Sequence, residues 1–261
     1  EVNIEDFVKN TVHDAIDKLN ATTIKGGEYP VILENGFGAI IFHEACGHGL
    51  EATSVSPKLS CFTGLLGKQI ASSKVTLIDD GTIKNGWGSV NIDDEGTIPS
   101  KNILIEKGIL KSYMVDYLNE DVMKHKITGN SRRQDYTYEP TSRMTNTYIA
   151  KGTDRIDDML KSIKYGIYCK RMGSGLVNPT SGEFNFSVDL AYLIEDGKMT
   201  KPLKDLCLIG TGKEILERVE MVSDDLVIED GYCGAESGTV FVTIGQPTIK
   251  VSKMMVGGKD E

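Results

Sequence analysis

The stretch AIIFHEACGHGLEA, residues 39–52, is typical of a helix that follows a glycine-rich turn, and it contains two histidines, His43 and His48. On a regular α-helix, residues five apart differ in direction by about 140°, so the two imidazoles would point to different sides. A single π-type turn adds one residue to the helical repeat and would bring both rings to one metal ion. Gly47 and Gly49 weaken a regular helix by about 1 kcal/mol each, which favours such a distortion. We therefore predict a π-turn between the two histidines.

The residue types in this stretch suit a catalytic zinc site. Two neutral imidazoles are good zinc ligands, and a catalytic site adds a third protein ligand and keeps one position open. Glu44 is predicted to act as the general base that accepts a proton from the attacking water. The spacing leaves the third ligand open among Cys46, Glu51, Cys233 and other cysteines or acids. Two ordinary surface or core histidines are the alternative interpretation, which the spacing alone leaves open.

Composition limits the classes of protein to be considered. The chain has 261 residues, 39% of them hydrophobic, which suits one large globular domain or two small ones. Its net charge of −9 lacks the basic excess of nucleic-acid-binding proteins, so we expect no nucleic-acid partner. Five scattered cysteines favour a reducing compartment over a disulfide framework. No apolar run reaches the roughly 20 residues of a membrane span, and EVNIEDF does not resemble a signal peptide, so we expect a cytoplasmic protein without membrane contact.

Helical periodicity predicts four more helices. Their ranges are 3–20, 115–126, 154–165 and 213–222. Asn3 is predicted to cap the first of them, and Thr153 the third, which would end at Gly166.

Alternating strand patterns dominate the remainder, as in EFNFSVDLAYLIEDG and TVFVTIGQPTIKV. A small unit recurs between them, an apolar residue followed by mostly charged residues and Gly, and it predicts hairpin turns rather than calcium loops. The unit occurs at 77–81, 104–108, 193–197 and 227–231, with a longer relative at 91–96. Together these patterns predict an α+β fold of mostly antiparallel β-sheet, barrel- or sandwich-like, with a few helices, one of which carries the HExxxH motif.

The segment HEACGHGLE resembles the His-Glu-x-x-x-His signature of the TldD/PmbA metallopeptidases, and specifically of the metal-bearing TldD-type subunit. Further segments are similar to the C-terminal domain of that family and follow in its order over nearly the whole chain: IDDGTI, IDDEGT, TGNSRRQDY, RMTNTY, NPTSGEFNFS, AYLIEDGK, CGAESG and GQPTIKV. The combination is specific, whereas no single short match would be. Nothing resembles the N-terminal α/β domain of the family. We therefore expect residues 1–261, which begin without Met, to be the C-terminal metal domain alone, as a fragment or a processed product.

The resemblance implies a set of site residues. His43 and His48 match the zinc histidines of the family, and Glu44 matches its catalytic glutamate. Cys233, in GYCGAESG, matches the cysteine that completes the metal site. Cys46 falls at a variable position of the motif and is expected to pack in the core.

The resemblance also implies a zinc-dependent peptidase that acts on unfolded or leader peptides bound in extended form along strands near the metal. Members work as dimers, either as homodimers or as a TldD-type subunit with a metal-free PmbA-type relative. The alternative is a zinc-stabilised, non-catalytic binding or regulatory subunit with four protein ligands. The strand RMTNTYIA, 143–150, is the candidate edge for a bound peptide. Arg132, Arg133 and Asn146 are the candidate substrate-binding residues, and surface ion pairs are the alternative interpretation of the two arginines.

Overall fold

The computed structural model describes residues 3–178 and 180–258, and in these ranges fifteen strands form three sheets. The strands are, in chain order, β1 Gly27–Leu33, β2 Leu77–Asp80, β3 Lys101–Glu106, β4 Ile109–Leu110, β5 Ser131–Arg132, β6 Thr141–Ser142, β7 Asn146–Ile149, β8 Tyr165–Val177, β9 Glu183–Glu195, β10 Lys198–Leu203, β11 Leu206–Thr211, β12 Val219–Val222, β13 Val227–Ala235, β14 Gly238–Gln246 and β15 Ile249–Gly257.

Five of these strands close into a barrel. Neighbouring strands pair in the order β1, β8, β9, β11 and β15, and β1 also pairs with β15. The contact between β1 and β8 is parallel, and the other barrel contacts are antiparallel. Because the barrel is closed, each of the five strands has a hydrogen-bonded neighbouring strand on both sides. The remaining two strands of this sheet attach outside the ring, β12 to β15 and β10 to β9.

A second sheet has six strands in the order β13, β14, β7, β2, β3 and β4. Only its β7–β14 contact is parallel. Strands β5 and β6 form a separate short pair. The predicted α+β fold with mostly antiparallel sheet is confirmed, and the barrel is one of the two forms that were expected.

Six α-helices lie in the described ranges: α1 Ile4–Leu19, α2 Ile40–Phe42, α3 Ala52–Val55, α4 Tyr117–Met123, α5 Ile156–Lys161 and α6 Gly212–Arg218. Asn3 caps α1 as predicted, because its side-chain oxygen accepts the backbone N–H groups of Glu5 and Asp6. The predicted helix at 115–126 forms the shorter α4. In this part of the chain, no helix is long and apolar enough to cross a membrane.

Two predicted helices extend too far. The prediction for 154–165 yields only α5, so Thr153 does not cap it and Gly166 lies in β8. Residues 213–218 form all of α6 but its first residue, and 219–222 form β12, because Val219 is buried and pairs with β15. A β-branched residue packs well on a sheet, so an available neighbouring strand outweighs the local helical pattern.

Two predicted hairpin turns are confirmed, since 104–108 joins β3 to β4 and 193–197 joins β9 to β10. Each turn has two central residues with positive φ, as the tight hairpin geometry requires. The predictions for 77–81 and 227–231 are wrong, because the first contains the interior strand β2 and the second lies within β13. The segment 91–96 turns within the long connection between β2 and β3 and is not a hairpin.

The predicted edge strand at 143–150 is also wrong. This segment contains β7, which pairs with β14 on one side and with β2 on the other. Its polar residues are satisfied inside the sheet: the buried Asp79 carboxylate accepts hydrogen bonds from the Thr145 backbone at 2.8 Å and the Thr147 hydroxyl at 2.8 Å. Among the described strands, β13 pairs only with β14, so β13 is an edge of this sheet.

The histidine segment lies between the barrel and the second sheet. Ile41 and Phe42, just before His43, belong to the main hydrophobic core together with Leu33 of β1 and Leu104 of β3. This packing fixes the direction in which the following residues leave the core.

Candidate metal centre

Residues 43–47 form a π-helical turn, which confirms the prediction. The backbone N–H of His48 donates to the carbonyl of His43, five residues earlier. A short 3-10 turn, His48–Leu50, follows, and Glu51 then adopts an extended conformation. The extra residue in the turn brings the two imidazoles together, with ring centroids 5.2 Å apart and planes at 84°.

The two glycines of the motif lie where side chains would not fit. A Cβ at Gly47 would be 2.2 Å from the sulfur of Met144, and a Cβ at Gly49 would be 2.9 Å from the ring of Phe62. The glycines therefore allow close packing against neighbouring segments as well as the distorted backbone.

Cys233 on β13 completes a cluster of three buried donors. Its Sγ lies 3.3 Å from Nε2 of His43 and 3.3 Å from Nε2 of His48, and the three donor atoms lie within 4.8 Å of one another. A zinc ion bound about 2.0 Å from each nitrogen and about 2.3 Å from the sulfur would hold the three donor atoms at separations of this order. Without a metal ion, donor atoms this close together must share protons, and a zinc ion would take the place of those protons. The donor set therefore fits a zinc ion.

Glu51 orients His48 instead of joining this donor set. One carboxylate oxygen accepts a hydrogen bond from Nδ1 of His48 at 2.9 Å, and the other accepts the Met144 backbone N–H at 3.1 Å. A proton on Nδ1 leaves the lone pair of Nε2 directed at Cys233, and such carboxylate–histidine pairs are usual behind metal ligands. Cys46, the other candidate, is fully buried and contacts the Gly212 carbonyl at 3.6 Å, so it packs in the core as expected.

The two histidines have opposite electrostatic environments. Burial, and then the nearby charges of His48 and Arg143, hold the pKa of His43 well below its ordinary value, so this ring is neutral and suited to bind a metal. Burial also lowers the pKa of His48, but the Glu51 carboxylate and the contact with Cys233 outweigh it and raise the pKa well above the ordinary value. Metal binding at Nε2 of His48 would therefore displace a proton.

Glu44 lies beside the donor cluster but outside it. Its carboxylate is 3.6 Å from Nε2 of His48, and its side chain is 27% exposed. Burial raises its pKa, and the neighbouring Glu51 adds to this effect while His48 and Arg143 oppose it. A carboxylate with a raised pKa is a better proton acceptor near neutral pH than an ordinary one.

A cavity of ≈ 380 Å³ opens at the cluster. Its lining includes Glu44, His48 and Arg143 together with 234–236, which follow Cys233 along the chain. Glu51 also lines it, as do hydroxyl side chains from Thr53, Ser54, Thr141, Ser142 and Thr180. A peptide backbone that entered the cavity would therefore find both hydrogen-bonding groups and the glutamate.

Arg143 is the site residue that the sequence reasoning missed. Its guanidinium donates to the Ser237 hydroxyl at 2.8 Å, to the Gly238 carbonyl at 2.9 Å and to the Cys233 carbonyl at 2.6 Å. These bonds fix the turn between β13 and β14, and with it the position of the thiol. The side chain is almost fully buried, and its Nε has no hydrogen-bond partner among the described groups. Its only signal in the sequence was its place in the segment RMTNTY.

The two arginines predicted to bind substrate do not line the cavity. Arg132 is buried and donates to the Met144 carbonyl at 2.8 Å. Arg133 is bound to Asp94, whose carboxylate accepts its backbone N–H at 2.9 Å. The structure therefore brings Arg143, rather than these two residues, to the centre.

Asn146, the third predicted substrate-binding residue, is fully buried in β7. Its amide donates to the Asp80 carbonyl at 2.5 Å and to the Ser89 hydroxyl at 2.8 Å. Its oxygen accepts the Thr243 hydroxyl at 2.8 Å. These contacts tie β7 to its neighbours, and the side chain is not brought to the cavity.

The barrel, the open sheet and the donor cluster between them define the chain as an α+β domain with a candidate metal centre. Residues 26–258 match the PmbA/TldA metallopeptidase C-terminal domain, and the chain belongs to this family.

Several relatives support this assignment. The chain is 46% identical over 260 residues to the metalloprotease TldD homolog of Buchnera aphidicola, a match that covers 99% of this chain and 54% of that protein. It is 34% identical over 262 residues to the zinc metalloprotease TldD homolog of Saccharolobus solfataricus, covering 98% of this chain and 57% of the relative. The chain thus spans about half the length of the curated relatives it matches. The crystal structure of TldE from Thermococcus kodakarensis shares the fold, with a TM-score of 0.81 at 24% identity over 99% of this chain and 56% of that one.

Proposed function

We propose that this chain is a zinc-dependent peptidase domain that hydrolyses unfolded peptides bound in extended form. The observation that most supports it is the convergence of His43, His48 and Cys233 beside Glu44, at the wall of an open cavity. The names of the two curated relatives, a metalloprotease and a zinc metalloprotease, support the same reaction class and metal.

Each residue of the centre has a separate role in this proposal. His43, His48 and Cys233 would hold the zinc ion, and Glu51 keeps His48 in the tautomer that binds it. Zinc in a site with an open position lowers the pKa of water and polarises a carbonyl group. Glu44 accepts the proton of the attacking water and passes it to the leaving amine.

The contacts of the remaining candidate ligands favour catalysis over a purely structural metal site. A structural zinc site has four protein ligands, whereas a catalytic site has three. Both oxygens of Glu51 already accept hydrogen bonds, and the thiol of Cys46 faces the Gly212 carbonyl. These observations support a three-ligand site with room for substrate.

The free edge of β13 is the best candidate for binding a peptide. This strand carries Cys233, and the residues at and after its end, 234–236, line the cavity. A peptide that pairs with a sheet edge is held by backbone hydrogen bonds and must be unfolded at that point. A dimer, with a second copy or with a metal-free PmbA-type relative, and a cytoplasmic location remain predictions of this account.

The proposal is tested by Glu44→Gln, with Glu217→Gln on the exposed face of α6 as the matched control. We expect the Glu44 variant to bind one zinc ion as the unmodified chain does, and to cleave an unfolded peptide at least about 10²-fold more slowly. A chelator should abolish cleavage by the unmodified chain and by the Glu217 variant.

Zinc content and cleavage are measured on the same samples, by metal analysis and by mass spectrometry of the peptide. Unchanged cleavage by zinc-loaded Glu44→Gln would contradict the role given to Glu44. Zinc held by four protein ligands, with no cleavage by any form, would favour the non-catalytic alternative.

A further inference from the structure

A second cavity also borders Glu44. Its volume is ≈ 220 Å³, and it shares Glu44 and Val177 with the cavity over the donor cluster. A peptide that passes Glu44 therefore has access to both cavities at once. Because the general base lies at the boundary, a side chain in the second cavity belongs to a residue close to the bond that is attacked.

The wall of this cavity combines closely packed apolar side chains with polar surface of similar extent. It includes Phe37 and Ile40, from the segment that leads to His43, and Phe186 on β9. A Cβ at Gly175 would be 2.2 Å from the Phe186 ring, so the glycine lets this ring lie directly against the backbone of β8. Phe186 is 2% exposed, whereas Phe37 is 37% exposed and lies at the rim. The Phe186 side of the wall is therefore held by packing, whereas the Phe37 side is open to solvent.

The chemistry of the lining favours an uncharged, apolar ligand group. Four apolar side chains surround it, Phe37, Ile40, Val177 and Phe186, and Glu44 is the one charged residue in the lining. The volume corresponds to about seven water molecules at roughly 30 Å³ each, which one large aliphatic or aromatic side chain can replace. Pockets in which apolar side chains bury a ligand group and a few polar groups orient it are typical of binding sites.

We propose that this cavity is a substrate subsite for the side chain of a leucine, methionine or phenylalanine residue next to the cleaved bond. The inference rests on the proposed peptidase function and adds selectivity at one position. Pairing with the edge of β13 would bind any extended backbone. The subsite would then determine which peptide bond of that backbone lies beside Glu44.

The first test uses zinc-loaded protein and unfolded peptides that are identical except at one position, which is Ala, Leu, Phe, Lys or Glu. We expect the Leu and Phe peptides to be cleaved with a kcat/KM about tenfold or more above that of the Ala peptide. Moving the Leu along the peptide should move the cleaved bond by the same number of residues. Equal rates for all five, or a preference for Lys through attraction to Glu44, would overturn the subsite.

Two substitutions test the same cavity from within the protein. Ser174→Trp should fill it, and Phe37→Ala should open its rim, so both should reduce the preference for Leu over Ala to about twofold or less. Leu176→Trp on the same strand is the matched control, because Leu176 is 81% exposed and lies outside the lining of either cavity. A control that loses the preference as fully as Ser174→Trp would contradict the assignment.

A binding measurement separates failure of the subsite from failure of the peptidase proposal. Zinc-loaded Glu44→Gln is titrated with the fluorescent Leu and Ala peptides, alone and combined with Phe37→Ala. Tighter binding of the Leu peptide, lost in the double variant, supports the subsite even if no form cleaves peptides. Equal binding of the two peptides contradicts the subsite even if the unmodified chain cleaves both.

Discussion

At the scale of single residues, the donor atoms of the metal centre are oriented by groups that do not bind the metal. Glu51 fixes the tautomer of His48, and Arg143 holds the carbonyl of Cys233. Nδ1 of His43 has no hydrogen-bond partner in the described part of the chain, so packing and the contact of Nε2 with Cys233 orient this ring. The sequence suggested Glu51 as a ligand because it lies three positions after His48. In the structure, this spacing places the Glu51 carboxylate where it accepts a hydrogen bond from Nδ1 of His48.

The role of Glu51 predicts the effect of Glu51→Gln. The amide cannot supply the negative charge that stabilises the proton on Nδ1 of His48, so the affinity for zinc should fall about 10–100-fold. Competition with a coloured chelator measures this affinity. Glu217→Gln should bind zinc as tightly as the unmodified chain. An unchanged affinity in Glu51→Gln would show that the ring of His48 is held by packing alone.

At the scale of elements, the π-turn was predictable and the sheet edge was not. Five-residue spacing of two histidines, with glycines at 47 and 49, already requires a distorted helix if both rings bind one ion. The polar segment 143–150 looked like an exposed strand because its pattern gives no sign of a buried acceptor. Asp79 supplies that acceptor, and it lies 66 residues from Thr145 along the chain. Distant hydrogen bonds of this kind cannot be read from local periodicity.

The close packing of the π-turn predicts the effect of Gly47→Ala. The added methyl group would overlap the sulfur of Met144, whose backbone N–H also donates to Glu51, so the overlap should displace the turn. We expect the free energy of unfolding to fall by about 1–3 kcal/mol, with weaker zinc binding.

Gly231→Ala is the matched control, because a Cβ there would meet its nearest atom, in Val242, at 3.9 Å. Chemical denaturation and zinc titration of both variants provide the comparison. Equal stability of the two variants would mean that Met144 can move away without cost and that the packing does not constrain the turn.

At the scale of the whole molecule, the centre depends on joining parts that are far apart in sequence. Cys233 lies 185 residues beyond His48, and no periodicity predicts their contact. The family resemblance identified this cysteine, whereas spacing alone left several candidates open. Asp225 helps to join the two parts, because its carboxylate accepts hydrogen bonds from Asn35 at 3.0 Å and from the Thr248 backbone at 2.8 Å. It thereby connects the entry of the histidine segment to the start of β13.

Asp225 also makes stability depend on pH in a defined direction. Burial would raise its pKa, but hydrogen bonds from Ser223 and Thr248 outweigh burial and hold the pKa below the ordinary value of 3.8. A carboxylate with a lowered folded-state pKa stabilises the protein above the unfolded-state pKa. That stability is lost as the pH falls below 3.8 toward the folded-state pKa.

Asp225→Asn should therefore lower the free energy of unfolding at pH 7, by no more than about 1 kcal/mol because solvent screens this partly exposed carboxylate. The difference from the unmodified chain should shrink between about pH 4 and pH 2. Urea denaturation over a pH series measures it, with Asp224→Asn on the exposed neighbouring residue as control. A difference that stays constant down to pH 2 would contradict the assignment of the hydrogen bonds to the ionised carboxylate.

The most direct measurement of the central claim is the zinc X-ray absorption spectrum of the metal-loaded chain. The account predicts one sulfur at about 2.3 Å and two imidazole nitrogens at about 2.0 Å, with one further light atom that is not from the protein. The sulfur signal should vanish in Cys233→Ala and persist in Cys46→Ala. A spectrum with no sulfur, with sulfur retained in Cys233→Ala, or with four protein ligands would contradict it.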